Sequence, residues 1–117
     1  MALHGMVVST VKGVTVATLT IPSIQEERVI SQIRDSLFEL VDQMAHRKLV
    51  VDFRAVSFLS SQMISVIVSL DKKIDSINGK LILAGLKPNL KKIFVVTNLD
   101  KILTFTDNEG IAVKKLQ

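Results

Sequence analysis

The chain contains no cysteine, no tryptophan and no tyrosine, and only two histidines, His4 and His46. Without cysteine there can be no disulfide staple, no thiol nucleophile and no sulfur-ligated zinc, a composition that fits a reducing compartment. The aromatic content is five phenylalanines, Phe38, Phe53, Phe58, Phe94 and Phe105. Phe53 and Phe58 flank a hydrophobic strand pattern and Phe94 sits inside an apolar run, which leaves little exposed ring surface for stacking nucleic-acid bases. No uninterrupted apolar run approaches the roughly 18 residues that crossing a bilayer needs. The opening segment, MALHGMVVST, lacks the basic and long apolar regions of a signal peptide, so the expected compartment is the cytoplasm. Runs of Pro, Gly or Ser that would mark a linker are missing, and no internal repeat is found.

What is present describes one ordinary globular domain over residues 1–117, with 48% hydrophobic and 22% charged residues. The net charge of +4 raises the question of a polyanionic partner. The lysines, however, fall in short groups, Lys72–Lys73, Lys87, Lys91–Lys92 and Lys114–Lys115, separated by apolar or acidic residues. They read as solvated faces, and direct nucleic-acid binding is not expected.

Met6 to Thr10 and Val14 to Thr20 are rich in Val and Thr, with Lys12-Gly13 between them, which predicts a hairpin. Pro22 stops the second strand, and Ser23 with Glu26 three residues on has the form of a capping box opening a helix. Ile30, Ile33, Leu37, Leu40, Val41 and Met44 then share one arc at 3.6 residues per turn, opposite Glu27, Gln32, Asp35 and Asp42. Leu49, Val50, Val51 and Phe53, interrupted by Asp52, predict a central strand buried on both faces. Asp52 itself is expected to end that strand with a satisfied hydrogen bond.

A second helix is expected from Ser60 or Ser61, with Met63, Val66, Ile67, Leu70, Ile74 and Ile77 facing the core. Ile64 and Val68 lie well off that stripe. They are either covered by a neighbouring helix or form an apolar docking patch. Asn78-Gly79 supplies the left-handed residue that ends this helix, and Lys80 to Ala84 is the next strand. Pro88 suits the first turn of a third helix closed by Asn98. A short strand around Leu103 to Phe105 and a last helix capped by Asp107 complete the order ββαβαβαβα, an α/β domain with helices packed on a mixed sheet.

The candidate site is Ser60-Ser61. A buried strand empties through Arg54 to Leu59 into two hydroxyls at the mouth of a helix, where backbone N–H groups converge and added negative charge is best tolerated. Two roles fit. One or both serines cap the helix, Ser60 being the better placed, or one is a modifiable hydroxyl.

The segments VVDFRAVSFLSSQMISVIV and NGKLILAGLKPNLKKIFVVTNLDKILTF resemble the STAS domain family, shared by sulphate transporters and bacterial anti-sigma factor antagonists. The likeness runs over nearly the whole chain. In that family the loop after the third strand reads Asp-Ser-Ser-Gly-Leu-Gly or a near variant, and its second serine is phosphorylated by a partner kinase that doubles as an anti-sigma factor. In this chain Leu59 stands for the Asp, Ser60 and Ser61 match the serines, and Gln62, Met63 and Ile64 replace Gly-Leu-Gly.

The resemblance implies a non-enzymatic signalling protein of a partner-switching pathway that acts on transcription. Its partner would be an anti-sigma factor with serine kinase activity, bound through Leu59, Ser60, Ser61, Gln62, Ile64, Ser65 and Val68. Ser61, with Ser60 as the alternative, would be the phosphorylated residue. Two other readings remain open: an unphosphorylated docking subunit of a transporter or signalling scaffold, and a sensor of a nucleotide or lipid at the same helix N-terminus. A weak homodimer is compatible with such a domain, membrane insertion is not expected, and no cofactor is implied.

Enzymatic readings find no support in the residues. FLSSQM is not a G-x-S-x-G elbow, and no Gly-rich phosphate loop, metal cluster or paired-carboxylate motif is present. His46, beside Arg47 and Lys48, is expected at a helix C-terminus, where positive charge is favourable. His4 is expected in a frayed terminus.

Overall fold

Lys12 and Gly13 both take positive φ, 52° and 82°, the conformation a two-residue hairpin turn needs to match strand twist. They join β2 (Met6–Val11) to β3 (Val14–Leu19), and the short β1 (Ala2–Leu3) pairs antiparallel with β2. The structure, a computed structural model, describes residues 2–3 and 5–117; His4 lies outside the described residues.

From β3 the sheet turns parallel. β5 (Lys48–Asp52) pairs with β3 and with β7 (Lys80–Ala84), and β8 (Thr104–Thr106) closes the far edge, giving the order β1-β2-β3-β5-β7-β8. The expected mixed sheet is therefore observed, with β5 at its centre. Alternation along the strands divides the interior into two layers. Leu49, Val51, Leu81 and Leu83 face a large core shared with α1 (Glu27–Asp42), α2 (Ser61–Ser76) and α3 (Pro88–Val96). Val50, Ile82 and Ala84 face a smaller core closed by Ala112, Val113 and Leu116 of α4 (Glu109–Leu116). Each of the Val, Leu and Ile side chains among these contributes about 1.5–3 kcal/mol when fully buried. The large core thus carries most of the stabilisation.

Several helix signals act as their chemistry predicts. Pro88 occupies the first turn of α3, and Asn78 and Asn98 take φ of 61° and 62° just past α2 and α3. Gly79 is not left-handed. It is small because a Cβ there would sit 2.7 Å from the Arg47 carbonyl oxygen.

Four local expectations are corrected. Ser23 caps no helix: Ser23–Ile24 forms β4, parallel to β6 (Phe58–Leu59), and α1 begins at Glu27 with no side-chain cap. Met44 is not in the core, because α1 ends at Asp42 and Met44 is 48% exposed. The last strand lies one residue later than expected, at Thr104–Thr106. The terminal helix is capped by Asn108 and not Asp107, its Oδ1 accepting from the Ile111 amide at 2.9 Å.

His46 shares a 3.0 Å hydrogen bond between its Nδ1 and the Thr15 hydroxyl, so its ring ties the connection between α1 and β5 to β3. Lys73 joins α2 to α1 from outside, with Nζ 3.0 Å from the Asp42 carboxylate and 4.9 Å from the centre of the Phe38 ring.

Candidate functional site

At the C-terminal end of β5 the chain makes a tight run of hydrogen bonds before α2 begins. Asp52, 2% exposed, accepts the Arg54 amide on Oδ1 at 2.9 Å, the satisfied strand-end role expected of it. The Val56 amide donates back to the Phe53 carbonyl at 2.8 Å. The amides of Ser57 and Phe58 both donate to the Pro22 carbonyl, at 2.7 and 3.1 Å, and that of Ser60 donates to Ile24 at 3.0 Å.

The opposite side of the loop is held by α3. Lys87 Nζ donates to the carbonyls of Arg54 at 2.6 Å and Val56 at 3.1 Å, and Asn89 Nδ2 donates to that of Ser57 at 3.1 Å. The N–H groups of Ser57, Phe58 and Ser60 thus point to the segment at Pro22–Ile24, and the carbonyls of Arg54, Val56 and Ser57 to the start of α3.

The two serines have different environments. Ser60 is the N-cap of α2, with φ −75° and ψ 161°, and its Oγ accepts from the Met63 amide at 3.3 Å. Its side chain is committed to the helix. Ser61 is the first helical residue, exposed, and no acidic residue follows it in the first turn of α2. Its carbonyl accepts from the Ser65 hydroxyl at 3.2 Å.

Of the other residues expected here, Gln62 and Ser65 are exposed, and Val68 is half-buried. Ile64 is half-buried against the large core, so it is neither a free patch nor fully covered. Ser61, Ile64, Ser65 and Val68 stand at i, i+3, i+4 and i+7, which gathers them along one side of α2. Leu59 is the exception. It is 3% exposed and packs in the large core, because the two-residue strand β6 turns Leu59 inward and Phe58 outward. As a surface contact Leu59 is therefore corrected; it anchors the loop.

Phe58 takes the exposed place, 46% accessible, and was not among the expected contacts. Beside the loop, Asn89, Lys92, Ile93, Val96 and Thr97 line a concavity of about 270 Å³ on α3, and Val96 is 70% exposed. Helical arithmetic from Leu90 and Phe94, the two buried residues of α3, already turns Val95 and Val96 outward by about 100° or more.

On the other face of the sheet, Glu109 opens α4 near Asp52. Burial pushes its carboxyl above the ordinary 4.5, and a hydrogen bond and charge repulsion from Asp52 push the same way, while Arg54 opposes them. Among the described residues no group of acidic and histidine side chains is arranged to hold a metal ion, and no helix is long and apolar enough to cross a membrane.

Comparison with known proteins gives the same architecture. The STAS domain family matches residues 10–112. An anti-sigma-factor antagonist (STAS) domain protein from Planctomyces limnophilus superposes with a TM-score of 0.84 at 20% identity, over 99% of this chain and 100% of that one. An anti-sigma factor antagonist from Mycobacterium paratuberculosis gives 0.83 at 20% identity, over 95% and 92% of the respective chains. The Bacillus cell fate determinant SpoIIAA in its phosphorylated form gives 0.74 at 18% identity, over 96% and 99%. At these identities the likeness is one of fold.

Proposed function

The chain belongs to the STAS domain family, and from that premise we propose that it is a non-enzymatic signalling protein of the cytoplasm, acting as an anti-sigma factor antagonist. It binds a protein partner, an anti-sigma factor with serine kinase activity, through the Ser60-Ser61 loop and the first turns of α2. Phosphorylation of Ser61 controls that association.

The observation that carries this reading is the division of labour between the serines. Ser60 spends its hydroxyl on the Met63 amide, whereas Ser61 is exposed at the first position of α2 with no acidic neighbour in that turn. A phosphate there carries about −1.5 to −2 charges at neutral pH and lies at the positive end of the helix. The domain tolerates it without refolding, while an apolar or acidic partner surface is repelled. The solved structure of SpoIIAA in a phosphorylated form lends the reading support by analogy of fold.

One feature favours a second reading, an unphosphorylated docking subunit. Leu59 is buried and apolar where the family has an acidic residue, and Gln62 adds bulk where it has glycine, so a kinase adapted to the usual loop meets a different surface.

Affinity capture with wild type, Ser61→Ala and Ser61→Asp, coupled to mass spectrometry of the Ser60-Ser61 peptide, separates the two. The switch predicts phosphate on Ser61 and a partner retained by wild type and Ser61→Ala but lost by Ser61→Asp. The same partners on all three baits, with an unmodified peptide, rule the switch out.

A further inference from the structure

The loop that presents the serines is bracketed on two sides, each by a segment more than thirty residues away in sequence. The side toward Pro22 and Ile24 is a pair of short parallel strands, β4 and β6. The other side is made by two side chains more than thirty residues away, Lys87 and Asn89, which reach the carbonyls of Arg54, Val56 and Ser57. Lys87 is the N-cap residue of α3 and caps nothing with its own side chain. Its ammonium, a strong three-donor group, is spent on the loop instead.

We propose that the first turn of α3 is a latch on the serine loop, with Lys87 as the positioning residue that sets where Phe58, Ser60 and Ser61 are presented to a partner. The inference takes its functional meaning from the partner-binding reading above, but the latch itself is a property of the chain alone.

Three observations converge on it. Lys87 holds two carbonyls of one loop at once, so losing it frees those of Arg54 and Val56, the residues on either side of Ala55, together. Asn89 secures the next carbonyl along, Ser57, immediately before exposed Phe58. Asn89 also lines the apolar concavity with Ile93 and Val96, so the outer surface of α3 and the loop share a side chain. A partner that touches α3 at Ile93 and Val96 therefore acts on the same structural unit as one that touches Ser61. Lys87 needs no contact with the partner to affect binding.

The test is amide hydrogen exchange on the whole chain, comparing wild type with Lys87→Met, which keeps the apolar stem and removes the donors, with Lys87→Arg, which restores donors, and with Asn89→Ala. The amides of Val56, Ser57 and Phe58 report the loop, and those of Val50 and Val51 in β5 report global opening. Exchange in the loop is expected to rise about tenfold or more in Lys87→Met while β5 is unchanged, with Lys87→Arg close to wild type and Asn89→Ala intermediate. Unchanged loop exchange in Lys87→Met overturns the latch. So does a rise of equal size in the loop and in β5, which would make Lys87 a contributor to stability alone.

A second arm measures binding of the partner recovered by the capture experiment, expected to weaken several-fold with Lys87→Met and to recover with Lys87→Arg. Failure of the exchange arm removes the latch and leaves the partner-binding reading standing. A positive exchange result with no recovered partner does the reverse.

Discussion

The Ser60 hydroxyl oxygen lies 3.3 Å from the Met63 amide nitrogen, while the neighbouring Ser61 hydroxyl caps nothing. Removing a capping oxygen costs about 0.5–2 kcal/mol, and an exposed hydroxyl outside such a role about 0.5 kcal/mol or less. Ser60→Ala is therefore expected to lower the melting temperature by several degrees and Ser61→Ala to leave it nearly unchanged. Thermal denaturation followed by circular dichroism checks this; equal losses would mean that the two serines share the capping role.

Gly79 predicts a second asymmetry. A methyl group there would meet the Arg47 carbonyl oxygen and Ile74 Cγ1, each at 2.7 Å, and the strand cannot retreat because the Lys80 amide donates to that same carbonyl at 2.7 Å. Gly79→Ala is expected to destabilise by about 1–3 kcal/mol through overpacking. At Gly13 an added Cβ meets nothing within 4 Å, and the cost there comes only from its φ of 82°. Urea denaturation of the two variants compares the mechanisms directly.

The carboxyl of Glu109 is held above 4.5 first by burial, then by the hydrogen bond and charge of Asp52. A folded-state pKa raised above the unfolded value means that the native chain binds the proton more tightly. The stability this group contributes is complete below pH 4.5 and is lost as pH rises through the raised value. Asp52→Asn removes the repulsion and offers a donor to the ionised form, so the Glu109 midpoint should fall toward 4.5 without reaching it, since burial remains. Carbon-detected NMR titration reads the midpoint; one that does not move would show that Asp52 has no part in the shift.

Much of the fold is legible locally. The Lys12-Gly13 turn, Pro88 at a helix start and Asn78 and Asn98 at helix ends are decided by the backbone preferences of single residues, and the structure agrees at each. The errors arise where distant segments override a local signal. Ser23 and Glu26 carry a capping-box pattern, but Ser23–Ile24 is taken by pairing with Phe58–Leu59. The stripe through Met44 is sound arithmetic on a helix that has already ended at Asp42.

At the site, Ser60 as cap was readable because a cap needs only its own helix. Burial of Leu59 was not, since an apolar residue in a loop reads as surface until its strand partner is known. Lys87 was the least legible of all. Its target carbonyls lie 31 and 33 residues away, and nothing in the pattern around Pro88 points to them.

Thr15 pairs with Leu49, at the start of β5, whereas the serine loop leaves from its end, so the Lys12-Gly13 turn sits at the opposite pole of the sheet. In a chain with no native thiol, Lys12→Cys would create a single coupling point there. Immobilised on a sensor surface or labelled with a fluorophore through that residue, every molecule would present its serine end outward in the same orientation.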